Sequence, residues 1–197
     1  MAENESFPDF IRRLRAGDEQ AATELVERYE RVIRCEARLR LTDPRLGRLL
    51  DSVDISQSVL ASFFVRASAG EYDLSRPEDL MRLLVRMARN KVASQARRQR
   101  ARAADQQRVE GENLEATVAA PTDMVQLVAG RDLLEEVRRR LSAEERQIAD
   151  LRGQGRSWQE VAAELGGTPE GRRKQLTRAL DFVATQLGLD EDVDTAL

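Results

Sequence analysis

The segment 157–180 has the pattern of two short helices joined by a glycine turn, and it constrains the fold more than any other part of the chain. Ser157 followed three residues later by Glu160 forms a capping box, a pair whose side chains bond the first free N–H groups of a helix. Gly166 and Gly167 allow the left-handed backbone that ends a helix. The segment therefore predicts a helix-turn-helix.

The second helix of this segment predicts a surface that contacts DNA. Thr168 can cap the helix, with Pro169 at its first position. Cationic and amide side chains follow, and these suit phosphates and base edges in a major groove. They are Arg172, Arg173, Lys174, Gln175 and Arg178. The alternative is a helical hairpin whose basic face is simply solvated.

Composition favours an all-α protein. The chain has 197 residues, which suits one or two small domains. Apolar residues make up 41% and charged residues 34%, but aromatic residues only 4%. Ala, Leu, Arg and Glu are the commonest residues, and all four are good helix formers or are common in helices.

The net charge of −3 conceals strong segregation of charge along the chain. Residues 76–102 carry nine basic and two acidic groups. Residues 105–126 carry five acidic groups and one Arg, and residues 181–197 carry five acidic groups and no basic one. Because one segment is strongly cationic, a nucleic-acid partner is compatible with the negative total.

Cysteine and histidine usage excludes several kinds of chemistry. The chain has one Cys and no His. A disulfide framework, a zinc site of the usual Cys/His type and nucleophilic catalysis with a His base are therefore all excluded. We expect no catalytic residue, cofactor or metal site. Since no apolar run approaches a membrane span and the N-terminus lacks a signal-peptide pattern, the chain is expected to be cytoplasmic with no membrane partner.

Apolar spacing predicts four helices before the acidic segment. Residues 6–40 form a short and then a long helix, interrupted at Gly17 and Asp18. A third helix covers 51–67 and a loop follows to residue 77. Ser75 with Glu78 predicts a capping box for the fourth helix, about 78–102.

The fourth helix is strongly amphipathic. Its predicted buried face contains Leu80, Leu83, Leu84, Met87 and Val92. The opposite face contains Arg82, Arg86, Arg89, Asn90, Ala93 and Arg97. An ordinary solvated face usually mixes charge signs, whereas like charges in one row repel unless a polyanion is present. The pattern favours a nucleic-acid surface over an ordinary solvated face.

Residues 105–130 have the composition of a linker, and helices resume after it. One helix is predicted at about 131–141. Ser142 with Glu145 forms a further capping box, which opens a helix through Leu151. The acidic C-terminal tail is expected to be disordered, with autoinhibition as one role to consider.

Four stretches together resemble the extracytoplasmic-function (ECF) class of bacterial RNA polymerase sigma factors, of the sigma-70 family. The resemblance covers roughly residues 10–102 and 131–187. The stretches are Arg15-Ala-Gly-Asp18 followed by Leu25-Val-Glu-Arg-Tyr29; Asp54-Ile-Ser-Gln57 in the helix with Phe63 and Phe64; Leu83–Asn90 followed by Arg97-Arg98; and Leu141–Arg146 through Arg178-Ala179.

The resemblance implies an all-α fold of two small helical domains joined by a flexible linker. A sigma-2-like four-helix domain would cover 6–103, and an acidic linker would cover 104–130. A sigma-4-like helix-turn-helix domain would cover 131–188, followed by an acidic tail at 189–197. The resemblance also implies an alternative sigma factor that directs promoter recognition, DNA opening and transcription initiation, and that is not an enzyme.

The resemblance further implies three sets of contacts. Asp54 and Gln57 would dock on the clamp helices of the polymerase beta-prime subunit, and the sigma-4-like domain would pack on the beta flap. The −10 element would meet Tyr72, Arg86, Arg89, Asn90, Lys91, Arg97 and Arg98. The −35 element would meet Thr168, Arg172, Arg173, Lys174, Gln175 and Arg178. An anti-sigma factor is a further candidate partner.

This sequence departs from the family pattern at the start of the recognition helix. The family usually has an apolar residue where Arg172 stands. We therefore expect Arg172 either to extend its charged group outward from the edge of the core or to leave the helix loosely packed.

Two other functions fit parts of the sequence. A self-sufficient helix-turn-helix regulator would use its first 100 residues as a ligand or dimer domain, and it would bind duplex DNA without polymerase. A metal-dependent enzyme would hold Mg²⁺ with Asp51 and Asp54, which are three residues apart on one helix. An Asp at a helix start is, however, commonly a cap.

Overall fold

The computed structural model describes residues 6–41, 51–109 and 130–189, and within these ranges it contains eight helices and no strand. The predicted all-α class is confirmed. The helices, numbered here in chain order, are α1 (Phe7–Arg15), α2 (Glu19–Arg40), α3 (Ser52–Ser68), α4 (Pro77–Val109), α5 (Gly130–Arg140), α6 (Ala143–Gly153), α7 (Trp158–Leu165) and α8 (Pro169–Gln186).

Helices α1–α4 enclose the first hydrophobic core. Side-chain caps open three of them: Ser6 bonds the N–H of Asp9, Asp18 that of Ala21, and Asp51 that of Val53. Helices α2, α3 and α4 pack on one another, and α1 lies against α3. The fully buried members of this core include Leu14, Leu25, Ile33, Val59, Phe63, Leu80 and Leu84.

Both ends of α4 differ from the sequence prediction. The carbonyl of Arg76 accepts the N–H of Leu80, so Arg76 takes the capping position that was assigned to Ser75. Pro77 is then the first helical residue, a position that suits its fixed φ. The helix continues to Val109, seven residues past the predicted end, because nothing between 103 and 109 is a helix breaker. The predicted buried face of α4 is confirmed.

Helices α5–α8 enclose the second core and include the predicted helix-turn-helix. Both capping boxes, at Ser142 with Glu145 and at Ser157 with Glu160, are confirmed. Between α7 and α8, Gly166 and Gly167 have φ of 79° and 83°. The fully buried side chains here include Ile148, Val161, Leu176, Leu180 and Leu189.

Leu189 was predicted to begin the tail, but it belongs to the second core. The N–H of Leu189 bonds the carbonyl of Ala184, and the N–H of Gly188 bonds that of Thr185. This pair of bonds is a Schellman motif, which turns the chain back so that the residue after the glycine packs on the helix it has left. The remaining tail residues, 190–197, lie outside the described part of the chain.

The two cores share elements. Val65 and Ala69, at the end of α3, are buried in the second core, and Leu134 of α5 packs against the first. The resemblance implies two helical domains joined by a flexible linker, and in this structure the two helical groups contact each other. Residues 104–109 continue α4 and Gly130 begins α5, while the intervening residues lie outside the described part of the chain.

Within the described ranges, none of the helices combines the length and apolar character that crossing a lipid bilayer requires.

Candidate nucleic-acid and polymerase interface

Helix α8 presents a cationic surface at its N-terminal end. Thr168 caps the helix by accepting the N–H of Gly171 at 3.0 Å. Arg173, Lys174 and Arg178 are exposed. Lys174 pairs with Glu170 at 3.4 Å, and such a solvent-exposed pair contributes little to stability. These side chains are therefore available to a polyanion.

Arg172 has a different role in the same helix. Its guanidinium donates to the carbonyls of Gly166 at 2.8 Å and Leu165 at 2.5 Å, which end α7. It also donates to Glu144 of α6 at 2.7 Å and to Gln175 at 2.8 Å. Its side chain is only 14% exposed. Of the two expectations for Arg172, neither describes this arrangement, because the side chain joins three helices through hydrogen bonds.

Glu144 completes this junction. It accepts hydrogen bonds from both Arg172 and Gln175, the latter at 2.8 Å. These bonds, first that from Arg172, lower the pKa of the Glu144 carboxyl below its ordinary value. The carboxylate therefore stays charged at neutral pH and holds both side chains at the start of α8.

Arg172→Ala is expected to lower the free energy of unfolding by about 1–2 kcal/mol, since it removes charge-assisted bonds at a half-buried junction. Arg173→Ala is the matched control, because it makes the same change at the next, exposed residue; we expect a change within about 0.5 kcal/mol. Urea unfolding followed by circular dichroism measures both. Equal losses would mean that Arg172 does not join the helices.

The cationic face of α4 lies on the surface as predicted. Arg86, Arg89 and Arg97 are exposed, while Asn90 and Arg98 are partly buried. Lys91 is 3% exposed. Its ammonium lies within the helical packing, so Lys91, which the resemblance placed at the −10 element, is not accessible to DNA.

Arg89 links α4 to α2. It donates to Glu36 at 2.7 Å, and Glu36 also accepts from Arg40 at 3.2 Å. The hydrogen bond from Arg89 and then that from Arg40 lower the pKa of the Glu36 carboxyl, despite some burial. One carboxylate is thus shared by two arginines, so the local surface keeps a positive excess.

Tyr72 lies in the loop between α3 and α4. Its ring stacks on Phe63, with ring centroids 5.8 Å apart and planes 4° from parallel. Its carbonyl accepts a hydrogen bond from Arg15 at 2.8 Å. The ring is partly buried against the first core. The ring of Phe63 and the guanidinium of Arg15, at the end of α1, therefore both hold Tyr72 in place.

The start of α3 carries the residues expected to meet the polymerase. Asp54 and Gln57 are exposed and lie one turn apart on the helix. Asp51 uses its carboxylate to cap α3, accepting the N–H of Val53 at 3.0 Å. This capping role is the ordinary explanation for an Asp at this position. Within the described ranges, no cluster of three or more acidic, Cys or His residues could hold a metal ion.

Sequence reasoning missed two buried arginines that join the halves of the protein. Arg66 of α3 is only 2% exposed and Arg152 of α6 only 3%. Arg66 follows Phe63-Phe64-Val65, and a charged residue within an apolar helical run was the one available signal. Their partners in the opposite half, Asp181 and Asp73, lie 115 and 79 residues away and could not be named from the sequence.

A model of the family described as ECF sigma factor matches residues 4–187. No curated protein and no solved structure matches the chain. The match spans nearly all of the chain, including both cationic helices and the helix-turn-helix. The chain therefore belongs to the ECF sigma factor family, whose members act in transcription initiation through core RNA polymerase and promoter DNA.

Proposed function

We propose that this chain binds core RNA polymerase, reads a −35 element with α8 and opens the −10 element with α4 and Tyr72. The observation that carries this proposal is the pair of exposed arginine-rich surfaces on α4 and α8, each opposite a buried core face. Residues 6–103 would act on the −10 element and residues 131–188 on the −35 element.

The −35 assignment is supported by the exposed side chains of Arg173, Lys174 and Arg178. They lie in the first three turns of the second helix of a helix-turn-helix, the part that enters a major groove. Arg172 and Gln175 would act indirectly, by fixing the angle of α8 against α6 and α7.

The −10 assignment is supported by Arg86, Arg89 and Arg97 on α4 and by the adjacent Tyr72 loop. Arginines hold the backbone of a separated strand, and an aromatic ring restores about 1–3 kcal/mol of stacking to an extruded base. This gain offsets part of the cost of opening the duplex.

Core polymerase would dock at the exposed Asp54 and Gln57, on the clamp helices of its beta-prime subunit, while residues 131–188 pack on the beta flap. Each DNA-binding surface is small, so each alone should bind weakly and with strong salt dependence. When polymerase fixes both at a set distance, the second contact becomes intramolecular and the affinity rises steeply.

Run-off transcription with purified core polymerase tests this proposal, using templates with randomised −35 and −10 positions. Arg173→Ala should weaken dependence on the upstream element, with a loss of about 1–3 kcal/mol in discrimination if it contacts a base. Asn90→Ala should impair opening, and a pre-melted template should restore its activity. Arg12→Ala, which removes an exposed arginine elsewhere, is the control.

The outcomes separate the alternatives. If both variants transcribe like the parent protein, the site assignment is wrong even though the family is right. If the chain binds no core polymerase but binds duplex DNA as a dimer, it acts as a self-sufficient regulator. Pull-down with core polymerase and size-exclusion chromatography distinguish these results.

A further inference from the structure

We propose that the acidic tail, residues 190–197, docks on one side of α8 and covers cations that are proposed to contact DNA. This side, which we call the Phe182 row, consists of exposed residues at four-residue steps: Lys174, Arg178, Phe182 and Gln186. The covering of DNA contacts rests on the proposed function. The docking itself rests on the surface of α8 and on the composition of the tail.

Phe182 is the apolar centre of the row. It is 62% exposed, and in the part of the chain that the structure describes only Leu39 is another large hydrophobic residue of similar exposure. A single exposed aromatic residue is ordinary on a protein surface. The position of Phe182 makes it unusual, because it lies among cations on the side of α8 that faces away from the second core.

Positive groups lie on both sides of Phe182. Arg178 is one turn nearer the start of α8, and among the described residues no acidic side chain forms an ion pair with it. At the other end Gln186 accepts a hydrogen bond from Arg140 of α5 at 3.4 Å, which brings that guanidinium to the row. Arg140 also pairs with Glu136 at 2.8 Å, so Arg178 is the stronger site for an added carboxylate.

The acidic tail has the complementary composition. Val193 lies among four acidic residues, and the tail contains no cation; the acidic residues are Asp190, Glu191, Asp192 and Asp194. An apolar side chain flanked by carboxylates complements an aromatic ring flanked by guanidiniums. Because the tail is joined to α8 by a short connection, its effective concentration at the row is on the order of millimolar. Even a weak contact can therefore be well populated.

The tail begins at a place from which it can reach the row. Leu189 is 1% exposed, and the Schellman motif before it reverses the direction of the chain. The four residues from Leu189 to Val193 span up to about 14 Å, whereas a helix with its side chains is about 10–12 Å across. Val193 can therefore pass around α8 to Phe182. Arg178, about 6 Å further along the axis, is within reach of the residues that follow.

Docking of the tail would compete with DNA for α8. Arg178 and Lys174 belong to the row, and both are among the side chains proposed to contact the −35 element. A carboxylate of the tail and a phosphate of DNA cannot occupy the same guanidinium site. DNA therefore binds through these cations only in molecules whose tail has left the row, and the undocked fraction lowers the apparent affinity in proportion.

Heteronuclear NMR of the full-length protein tests the docking without DNA. The neutral-tail variant keeps the length of the tail and replaces its acids by amides: Asp190→Asn, Glu191→Gln, Asp192→Asn and Asp194→Asn. Backbone amide signals of Arg178 and Phe182 should shift between the parent and this variant. Shifts confined to 186–189, beside the substitutions, would overturn the docking. Shifts that depend on protein concentration would also overturn it, because the occupant would then be the tail of a second copy.

Phe182→Ala is the sharpest test of competition with DNA, because it changes no charge. A labelled DNA duplex of random sequence should bind this variant about twofold more tightly, if the undocked fraction rises from about a quarter to about a half. Fluorescence anisotropy measures the affinity. Leu39→Ala is the matched control, since it removes the other exposed large hydrophobic residue, 66% exposed on α2, and it should leave the affinity unchanged.

Combining the two changes separates docking from the general effect of charge. The neutral-tail variant should itself bind DNA more tightly, partly because the whole protein is less negative. In that background Phe182→Ala should give no further gain, because the docking that it weakens is already lost. An equal gain in both backgrounds, or no gain in the parent, would overturn the competition with DNA. Failure of the proposed function looks different: neither protein would then bind the duplex or support run-off transcription, whereas the NMR shifts would still report docking.

Discussion

Phe63→Ala is expected to lower the free energy of unfolding by about 3–5 kcal/mol, the range found for large aromatic residues removed from a core. Phe63 is 0% exposed at the centre of the first core. Its ring also supports Tyr72 in a parallel stack. The substitution removes this support and leaves a cavity that the surrounding helices cannot fully close.

Urea unfolding monitored by circular dichroism checks this expectation. With a typical slope of about 2 kcal/mol per molar urea, the midpoint should fall by about 2 M. Phe182→Ala on α8 is the control, because Phe182 is 62% exposed; its effect should stay within about 0.5 kcal/mol. Similar midpoints for the two variants would contradict the assignment of Phe63 to the core.

Arg66→Ala is expected to lower the free energy of unfolding by about 3–5 kcal/mol, because removing one partner of a buried ion pair leaves the other charge uncompensated. Glu71, 9% exposed in its side chain, would be that charge. Burial opposes ionisation of Arg66, but Glu71, Tyr72 and Asp181 outweigh it and raise the pKa of Arg66 above its ordinary value. The guanidinium therefore stays charged at every pH at which the protein is folded.

Two further variants separate charge from packing at this position. Arg66→Met keeps much of the side-chain volume but donates no hydrogen bond. If the unpaired carboxylate of Glu71 causes most of the loss, Arg66→Met should lower the free energy of unfolding nearly as much as Arg66→Ala. Adding Glu71→Gln should then recover part of that stability. If Arg66→Met is instead as stable as the parent protein, lost packing of the side chain accounts for the effect of Arg66→Ala.

The control for Arg66 is Arg12→Ala, which removes a largely exposed arginine and its pair with Asp9. Exposed pairs contribute about 0–1 kcal/mol, so its effect should be small. If Arg66→Ala lowered stability as little as Arg12→Ala, the buried ion pair would be unimportant for stability. Both measurements use the full-length protein in the same urea series.

Much of the fold was predictable because the signals were local. The capping boxes at Ser142 and Ser157 each lie within four residues, and both are present as predicted. The buried face of α4 follows from spacing along a single helix. Errors arose where local signals competed: Ser75 and Arg76 both precede Pro77, and the geometry of proline favours capping by Arg76.

The candidate site was predictable only in outline. Exposure of Arg173 and Arg178 agrees with the amphipathic pattern. Arg172 has the same charge and a neighbouring position, yet it bonds the end of α7 and Glu144. Lys91, which the resemblance placed at the −10 element, is likewise buried. Charge alone does not reveal which cations serve structure and which remain available to DNA.

Periodicity and caps act over three or four residues, so the all-α class, the helix-turn-helix and the order of the helices could be read from the chain alone. The contacts of Arg66 with Asp181 and of Arg152 with Gly70 join residues 115 and 82 positions apart, and they become visible only in the folded protein. Such pairings depend on how whole helices pack in space, and the burial that makes them strong does not exist until the two halves meet.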